Sequence, residues 1–402
     1  MVKITRREAL LSGSATLGLS LAAKAAGMEK NAVDEKKNDP KTNKVSKEGP
    51  YRSGAFGMPI ICLEEHVHDR VVATAIKETF LAEVPYLSGI GTRYREDPSR
   101  QPADRPRLTF IPDSIKTAAE PLSARISAMD KAAIDYQVIS LSNATQLAPQ
   151  GDAVELARGA NDRMAEAVAK HPGRFSAFFT LPWQNPEAAV REAERCVRVL
   201  KLPATLLTGR PANNHFLDDP RYEPVLAKLA ELDAPLFIHP GPPLEAVRKP
   251  YYDGFNPDLT ARLSLFGWGW HHEAGIQVVR LILSGIFDRH PNLKIISGHW
   301  GEMVPFFLQR MDDTMPPEVT GLSRTISDTY RDQVWVGPSG MLNTPHFMFI
   351  RQVLGIERII FSIDYPYLTM SGARDWLESL QIPQAEKEAI AFRNAQTLLH
   401  LT

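Results

Sequence analysis

Eight short apolar segments, each of strand length, alternate with amphipathic helical segments from residue 59 to the C-terminus. Strands that alternate with helices in this way pair in parallel, because each helix carries the chain back to the start of the next strand. Eight such units over roughly 350 residues predict an α/β fold, a (β/α)8 TIM barrel, rather than an open doubly wound sheet. The predicted strands are 59–63, 137–141, 174–181, 204–208, 235–240, 293–297, 333–336 and 358–362.

Two connections in this pattern are much longer than the others. After the first strand, residues 70–119 contain several prolines and arginines and are predicted to be irregular. After the fifth strand, residues 241–270 carry a series of aromatic residues that either line an aromatic substrate pocket or fill the mouth of the barrel. Connections of this length inside a compact domain are usually functional. We therefore expect insertions after strands one and five.

The predicted strands change abruptly from apolar to polar at their C-terminal ends. These ends carry Glu64, His66 and His68 on strand one, His239 on strand five, His299 on strand six and Asp364 on strand eight. Residues two apart on a strand point to the same side, so the three on strand one are expected to form one row. In a barrel the C-terminal ends of all strands meet at one face, so the whole group is expected to converge.

Imidazoles and carboxylates that converge on one point can bind a divalent cation. A single histidine at a strand end more often caps or fills a turn, but here four strands end in His or Asp directly after apolar runs. Barrel hydrolases with two metals commonly use a carboxylated lysine at the end of strand four, and residues 204–209 contain no lysine. The sequence therefore predicts one divalent metal ion, Zn²⁺ or Mn²⁺, with Mg²⁺ less suited to imidazole ligands.

From about residue 59 to the C-terminus, the chain resembles the amidohydrolase superfamily. The motifs that carry the resemblance are Leu63-Glu64-Glu65-His66, Phe237-Ile238-His239-Pro240, Ser284-Gly285-Ile286-Phe287-Asp288-Arg289-His290-Pro291, Ser297-Gly298-His299-Trp300-Gly301-Glu302 and Phe361-Ser362-Ile363-Asp364-Tyr365-Pro366. Within the superfamily these motifs are similar to the branch of aminocarboxymuconate-semialdehyde decarboxylase and the γ-resorcylate, or hydroxybenzoate, decarboxylases. The resemblance implies a barrel of the metal-dependent hydrolase type.

The resemblance also implies roles for individual residues. The metal ligands it implies are Glu64, His66, His239 and Asp364. His299 and Glu302 would belong to the acid/base apparatus, in which Asp364 also takes part. His68 leaves a second register open, in which His66 and His68 form the ligand pair of strand one. The Leu-Glu-Glu-His sequence favours the pair of Glu64 with His66.

The chemistry implied by the resemblance is non-oxidative decarboxylation of an aromatic or otherwise unsaturated carboxylic acid, with the metal as template and Lewis acid. The alternative on the same barrel is a metal-dependent hydrolase, a lactonase or amidohydrolase, that activates water. A third class, a binding or scaffold protein on a degenerate barrel, would need broken ligands, and none is visible. The predicted substrate contacts are Trp268, Trp270, His271, His272 and Arg310.

Composition limits the partners of the chain. Its formal net charge is −1 and 44% of its residues are apolar, so no basic excess points to nucleic acid. No apolar run approaches the roughly 20 residues needed to span a bilayer. We therefore expect a small-molecule carboxylic acid as the partner, no nucleic acid and no membrane span, and a homo-oligomer, either a dimer or a tetramer.

Residues 1–26 resemble a twin-arginine signal peptide. Arg6 and Arg7 precede a moderately apolar segment, Leu10–Ala23, and the sequence ending at Ala25 fits a small-residue cleavage site. The alternative is a chance basic N-terminus before a short helix. Residues 27–54 are polar and charged and are predicted to be a disordered linker. The barrel is expected to occupy 55–402, and the protein to be periplasmic or secreted by twin-arginine export.

Overall fold

Seven parallel strands form one sheet, and each strand pairs with its neighbours in sequence. The structure, a computed structural model, describes residues 56–212 and 215–401. The strands are β1 (Ile61–Val67), β2 (Tyr136–Leu141), β3 (Phe175–Phe179), β4 (Ala204–Thr208), β5 (Leu236–His239), β6 (Ile295–Ser297) and β7 (Val334–Val336). The predicted signal peptide, 1–26, and the predicted linker, 27–54, lie outside the described residues.

The predicted eighth strand is present as a segment that bridges the two edges of this sheet. Ile359 pairs in parallel with Val336 of β7, and Ser362 pairs in parallel with Leu63 of β1. The backbone N–H of Leu63 donates to the carbonyl oxygen of Phe361 at 2.9 Å. Residues 359–362 therefore lie between β7 and β1, and the sheet curls into a TIM-barrel-like α/β fold.

Helices connect and surround the strands. They are α1 (Arg70–Glu83), α2 (Ile111–Ala118), α3 (Leu122–Lys131), α4 (Ala153–Ala169), α5 (Pro186–Arg198), α6 (Glu223–Glu231), α7 (Glu245–Tyr252), α8 (Pro257–Ser264), α9 (Gly269–Leu283), α10 (Ile286–Arg289), α11 (Val304–Thr314), α12 (Pro317–Thr320), α13 (Ile326–Gln333), α14 (Thr344–Leu354), α15 (Ala373–Ser379), α16 (Gln384–Glu388) and α17 (Asn394–Leu399). A π-helical turn, Ala389–Arg393, joins the last two. Within the described ranges, no helix has both the length and the apolar character needed to cross a membrane.

Helix α5 illustrates how the sequence specifies these elements. The side chain of Asn185 accepts a hydrogen bond from the backbone N–H of Ala188 at 3.1 Å, which satisfies one free donor of the first turn. Such a cap stabilises a helix by about 1 kcal/mol. Ala189, Ala193 and Cys196 lie three or four residues apart and are fully buried. This apolar stripe packs α5 into the core between the sheet and the helices.

Two apolar clusters show which strand residues face the inside of the barrel. Ile60 and Cys62 belong to the large cluster that the sheet shares with the helices. Ile61 and Leu63 belong to a smaller cluster with Phe237 of β5 and with apolar residues of the other strands and α17. Because β1 alternates in this way, the smaller cluster fills the barrel interior. The polar strand ends lie beyond it.

The prediction of an irregular segment from 70 to 119 is wrong at both of its ends. Helix α1 begins directly after β1, where the Asp69 side chain accepts hydrogen bonds from the backbone N–H groups of Val71 and Val72 at 2.8 and 3.0 Å. The buried Val72 and Ile76 are four residues apart and hold α1 against the core. Helix α2 occupies most of the last part, 111–118. Turns and short 3₁₀ segments are confined to the region between these helices.

The sequence pattern of residues 272–289 predicts one long helix, but the structure has two helices there. Helix α9 starts three residues earlier, at Gly269, and ends at Leu283. Gly285 has φ +70°, in the left-handed region that glycine adopts readily, and α10 starts after it. The long connection after β5 thus consists of α7, α8, α9 and α10.

Candidate active site

Four of the predicted strand-end residues come together at one point. They are Glu64 and His66 from β1, His239 from the end of β5 and Asp364 from just beyond residues 359–362, and each offers a ligand atom within 4.8 Å of the others. Glu64 and His66 are fully buried. The Asp364 side chain is 14% exposed, which leaves one side of the group open to a small molecule.

The polar atoms of this group lie close together. His66 Nε2 lies 3.0 Å from Asp364 Oδ1, and His239 Nε2 lies 3.8 Å from Glu64 Oε1. Yet among the described residues neither His66 Nε2 nor Glu64 Oε1 has a hydrogen bond of acceptable geometry. Buried polar atoms without partners are costly, and a cation between them would satisfy both. His239 Nδ1 faces the carbonyl oxygen of Pro240 at 2.9 Å, which leaves Nε2 free to bind a metal.

The protonation states of the group suit a divalent cation. Burial lowers the pKa of His66 to about 3 and lowers the pKa of His239 well below its ordinary value, so both imidazoles are neutral and keep a lone pair. Burial raises the pKa of Glu64, and the neighbouring Asp364 carboxylate raises it further. Burial likewise raises the pKa of Asp364 to about 7. A bound cation would stabilise both carboxylates, and two nitrogen with two oxygen ligands fit Zn²⁺ or Mn²⁺.

Glu64 and His66 reach the site, whereas His68 does not. Strand β1 ends at Val67, so His68 lies beyond the strand. A bulge also interrupts β1 at Glu64, where the register against β2 shifts between Cys62 and Glu65 and φ is +65°. The side chain of His68 contacts the Asn143 amide at 3.1 Å. It is not part of the group of four.

A second cluster of ionisable groups lies beside the first. Glu302 is buried, and its two carboxylate oxygens lie 2.7 Å from His299 Nδ1 and 2.8 Å from His271 Nδ1. Burial alone would raise the pKa of Glu302, but the two imidazoles outweigh it and the net shift is downward. His299 Nδ1 also lies 3.9 Å from Glu64 Oε1. The structure thus places an imidazole–carboxylate pair, a typical acid/base arrangement, against the group of four.

The His299–Glu302 pair is built on a left-handed turn, residues 299–303, in which every residue has a positive φ between 46° and 83°. Each of its four non-glycine residues is strained by roughly 1–2 kcal/mol. The turn is anchored from outside: the backbone N–H of His299 donates to Ser339 Oγ at 2.8 Å, and Trp300 Nε1 donates to the carbonyl oxygen of Met341 at 2.7 Å. Gly298 precedes it because a Cβ there would lie 2.8 Å from Glu64 Oε1.

The structure separates the predicted substrate contacts into two sets. Trp270 lies beside the site, with its ring centroid 6.4 Å from that of His239, and His271 binds Glu302 as described. Trp268 is 50% exposed and stacks on the exposed His272. Arg310 lies on the exposed side of α11 and forms no ion pair within the described ranges. Only Trp270 and His271 are therefore brought to the site.

Several residues that support the site were missed in the sequence. Ser339 Oγ donates a hydrogen bond to Glu64 Oε2, and Arg125 donates one to the carbonyl oxygen of His66. Glu65, fully buried, accepts from the backbone N–H of Ile363 at 3.0 Å. Ser339 could have been recognised as a candidate site residue, because it is a polar residue shortly after the end of β7. Arg125 lies within the amphipathic pattern of α3, where nothing distinguishes it from a surface arginine.

A cavity of about 680 Å³ opens on the same face of the barrel. It is lined by residues that follow β2, β3, β4 and β5 and by part of α1, and none of the four grouped residues contributes to it. Thr208 in its wall pairs in register with His239. The cavity is therefore a neighbour of the site rather than the site itself.

Comparison with known proteins places the chain in a family. The family model described as amidohydrolase matches residues 116–401. Over 340 residues the chain is 34% identical to the gamma-resorcylate decarboxylase of Polaromonas sp., an alignment that covers 81% of this chain and 98% of that protein.

Two solved structures extend the comparison. The 5-carboxyvanillate decarboxylase of Sphingomonas paucimobilis is 29% identical with a TM-score of 0.74, over 86% of this chain and 100% of that one. A dihydroxybenzoic acid decarboxylase from Polaromonas sp., with bound manganese and the inhibitor 2-nitroresorcinol, is 31% identical with a TM-score of 0.71, over 85% and 97%. These matches confirm the resemblance seen in the sequence motifs. The chain belongs to the amidohydrolase family, in the branch of the hydroxybenzoate decarboxylases.

Proposed function

We propose that the chain is a metal-dependent, non-oxidative decarboxylase, a carboxy-lyase that acts on a hydroxybenzoate-like or otherwise unsaturated carboxylic acid. The observation that carries the proposal is the grouping of Glu64, His66, His239 and Asp364 against the His299–Glu302 pair. The relatives named above, decarboxylases of gamma-resorcylate, 5-carboxyvanillate and dihydroxybenzoic acid, support it. As part of the proposal we assign the fold to the amidohydrolase-type (β/α)8 barrel with insertions after strands one and five.

In this proposal the group of four holds one divalent metal through two imidazoles and two carboxylates. When bound, the metal supplies a positive template and a Lewis acid for the substrate carboxylate and an adjacent hydroxyl. The bound manganese of the Polaromonas structure favours Mn²⁺, and the donor set suits Zn²⁺ equally. Mg²⁺ is the weakest candidate because it prefers oxygen ligands and water.

Loss of CO₂ leaves an electron pair on the carbon that carried the carboxylate, and this carbon must take a proton. We assign His299 to the proton transfer and Glu302 to the orientation of its ring through the 2.7 Å contact at Nδ1. Asp364 is assigned a share in the same step, because its side chain is 14% exposed while Glu64 is fully buried. His68 is left without a role at the metal, since its ring contacts Asn143.

Among the predicted substrate contacts, Trp270 has the strongest support. It is half-buried and its ring lies close to His239, so it offers an aromatic face on which a planar acid could stack. Trp268 and His272 are exposed, and we place them at the rim of the site. For Arg310, which is exposed on α11, no observation favours a substrate contact.

The first prediction separates decarboxylation from hydrolysis. In water enriched in heavy oxygen, the metal-loaded protein is expected to release CO₂ from hydroxybenzoates and to leave the aromatic product free of heavy oxygen, because a C–H bond replaces a C–C bond. Mass spectrometry of gas and product measures both. Metal-stripped protein is the control. Heavy oxygen in the product of a lactone or amide offered in parallel, with no CO₂ release from any hydroxybenzoate, would establish a hydrolase, a lactonase or amidohydrolase, instead.

We also propose that the chain forms a homo-oligomer, either a dimer or a tetramer. Its surface carries a contiguous aromatic patch in which the Phe306 ring lies 5.3 Å from Phe307 and 6.1 Å from Phe349. Phe306 is 73% exposed, although a phenylalanine is usually buried. Exposed apolar patches of this kind mark contact surfaces on many proteins.

The second prediction concerns export, for which the motivation is Arg6 and Arg7 before a weakly apolar stretch. We propose a periplasmic or secreted location. Changing both arginines to lysine is expected to trap the precursor in the cytoplasm, because the paired guanidinium groups are the recognised feature of the signal. Cell fractionation and immunoblotting measure the outcome, with Lys3→Arg as the matched control. An unchanged periplasmic fraction in the double variant would refute twin-arginine export.

A further inference from the structure

Glu302 is a buried carboxylate with an imidazole on each oxygen. His299 Nδ1 lies 2.7 Å from Oε1, and His271 Nδ1 lies 2.8 Å from Oε2. The two imidazole rings are 4.4 Å apart at an angle of 65°. A carboxylate held at both oxygens cannot turn about its terminal bond without losing one of these contacts. The orientation of Glu302 therefore depends on His271 as much as on His299.

We propose that His271 is a positioning residue, which holds Glu302 so that its other oxygen stays on His299 Nδ1 and presents the His299 ring for proton transfer. The inference rests on the proposed function, because it gives His299 the proton-transfer role assigned above. It replaces the expectation that His271 contacts the substrate. His271 acts through Glu302 and touches no reacting atom.

The second ring nitrogen of His271 is held as well. His271 Nε2 lies 3.2 Å from Trp270 Nε1 and 3.0 Å from the carbonyl oxygen of Phe266. An indole N–H can only donate and a carbonyl oxygen can only accept. Nε2 therefore has a partner whether or not it carries a proton, and the ring keeps its place in either state. Neither nitrogen remains free to bind a substrate.

Charge supports the same reading. Burial would lower the pKa of His271, but the Glu302 carboxylate outweighs it and the net shift is upward. Without His271, Glu302 Oε2 would be a buried charged oxygen with no described partner, which is strongly unfavourable. The carboxylate is then expected to rotate or to draw in water, and His299 loses its fixed orientation. Misplacement of a supporting group typically slows a reaction by about 10–100-fold.

The test compares two substitutions in the metal-loaded full chain. In His271→Asn the side-chain amide nitrogen takes the place of Nδ1 and still donates to Glu302, whereas His271→Leu has no donor. We expect His271→Leu to lower kcat by about 10–100-fold with KM and metal content nearly unchanged, and His271→Asn to recover most of that loss. His346→Leu, an exposed histidine on α14, is the matched control. Equal losses in the Leu and Asn variants would overturn the proposal.

A double-mutant cycle with Glu302→Leu, which removes both carboxylate oxygens, adds a readout that a merely structural role of His271 would not change. If His271 acts only through Glu302, then His271→Leu lowers kcat no further in the Glu302→Leu background. Additive losses would overturn the proposal. So would two metal ions per chain that fall to one in His271→Leu, because His271 would then be a ligand of a second metal.

A final measurement tests the role of His271 without catalytic turnover. It therefore decides the inference even if the proposed function is wrong. Proton NMR of the zinc-loaded protein in water, with ¹⁵N-labelled histidine, is expected to show two strongly hydrogen-bonded imidazole N–H protons on Glu302. His271→Leu should remove one and accelerate solvent exchange of the other, the His299 proton. His271→Asn should keep the His299 proton protected. Unchanged protection of that proton in His271→Leu would overturn the proposal.

Discussion

Replacing His239 by alanine is expected to empty the metal site and abolish turnover. His239 is buried, its Nε2 lies 3.8 Å from Glu64 Oε1, and its Nδ1 faces the Pro240 carbonyl, so its ring is fixed in place as one of the four proposed ligands. Even an outer partner of a metal ligand typically contributes about 10–100-fold to affinity, so loss of one of four ligands should lower affinity by more than about 100-fold. Metal analysis after dialysis and kcat/KM for a hydroxybenzoate measure the two effects.

His346→Ala, which removes an exposed imidazole from α14, is the matched control and should keep metal and activity. Circular dichroism and the thermal midpoint must accompany His239→Ala, since deletion of a buried ring leaves a cavity. A folded His239→Ala protein with full metal content and full activity would refute the proposed ligand set.

Replacing His299 by asparagine is expected to keep the metal and to lower kcat by about 10²–10⁴-fold, the usual contribution of a general acid or base. The asparagine amide can still donate to Glu302 from the position of Nδ1, so the neighbouring geometry is preserved while the titratable group is lost. Steady-state kinetics with a hydroxybenzoate and metal analysis of the same sample provide the measurement.

The control for His299→Asn is Glu302→Gln, which removes the charge that orients the ring but leaves the imidazole in place. It is expected to lower kcat less than His299→Asn and to leave the metal bound. Loss of metal in His299→Asn would identify His299 as a ligand. Full activity in that variant would move the proton transfer to another group, with Asp364 as the first to test.

The convergence of His239 and Asp364 could be predicted from the sequence for a simple reason. Both follow apolar runs of strand length, and the parallel strands of a barrel end at one face. The expected row of Glu64, His66 and His68 holds only for the first two, because β1 ends at Val67 and His68 lies beyond it. The bulge and the positive φ at Glu64 cannot be recognised in the sequence either, since no glycine marks the position.

Contacts between segments that are distant in the sequence could not be predicted from the sequence alone. His271 meets Glu302 only because the start of α9 and the left-handed turn approach each other, and the turn is formed mainly by residues that rarely adopt such a backbone. Helix α1 is a different case. The sequence contains its signals, with Asp69 as N-cap and an apolar repeat at Val72 and Ile76, but the prolines between 85 and 112 favour an irregular segment.

The left-handed turn at residues 299–303 also bears on how such an enzyme can evolve. Domains are stable by only about 5–15 kcal/mol, so four residues strained by roughly 1–2 kcal/mol each are a substantial burden on the rest of the fold. Glycine at Met303, which has φ +68°, would relieve part of it. Selection for heat resistance alone should therefore favour glycine there, whereas selection for catalysis should oppose it, because a looser turn no longer fixes Glu302.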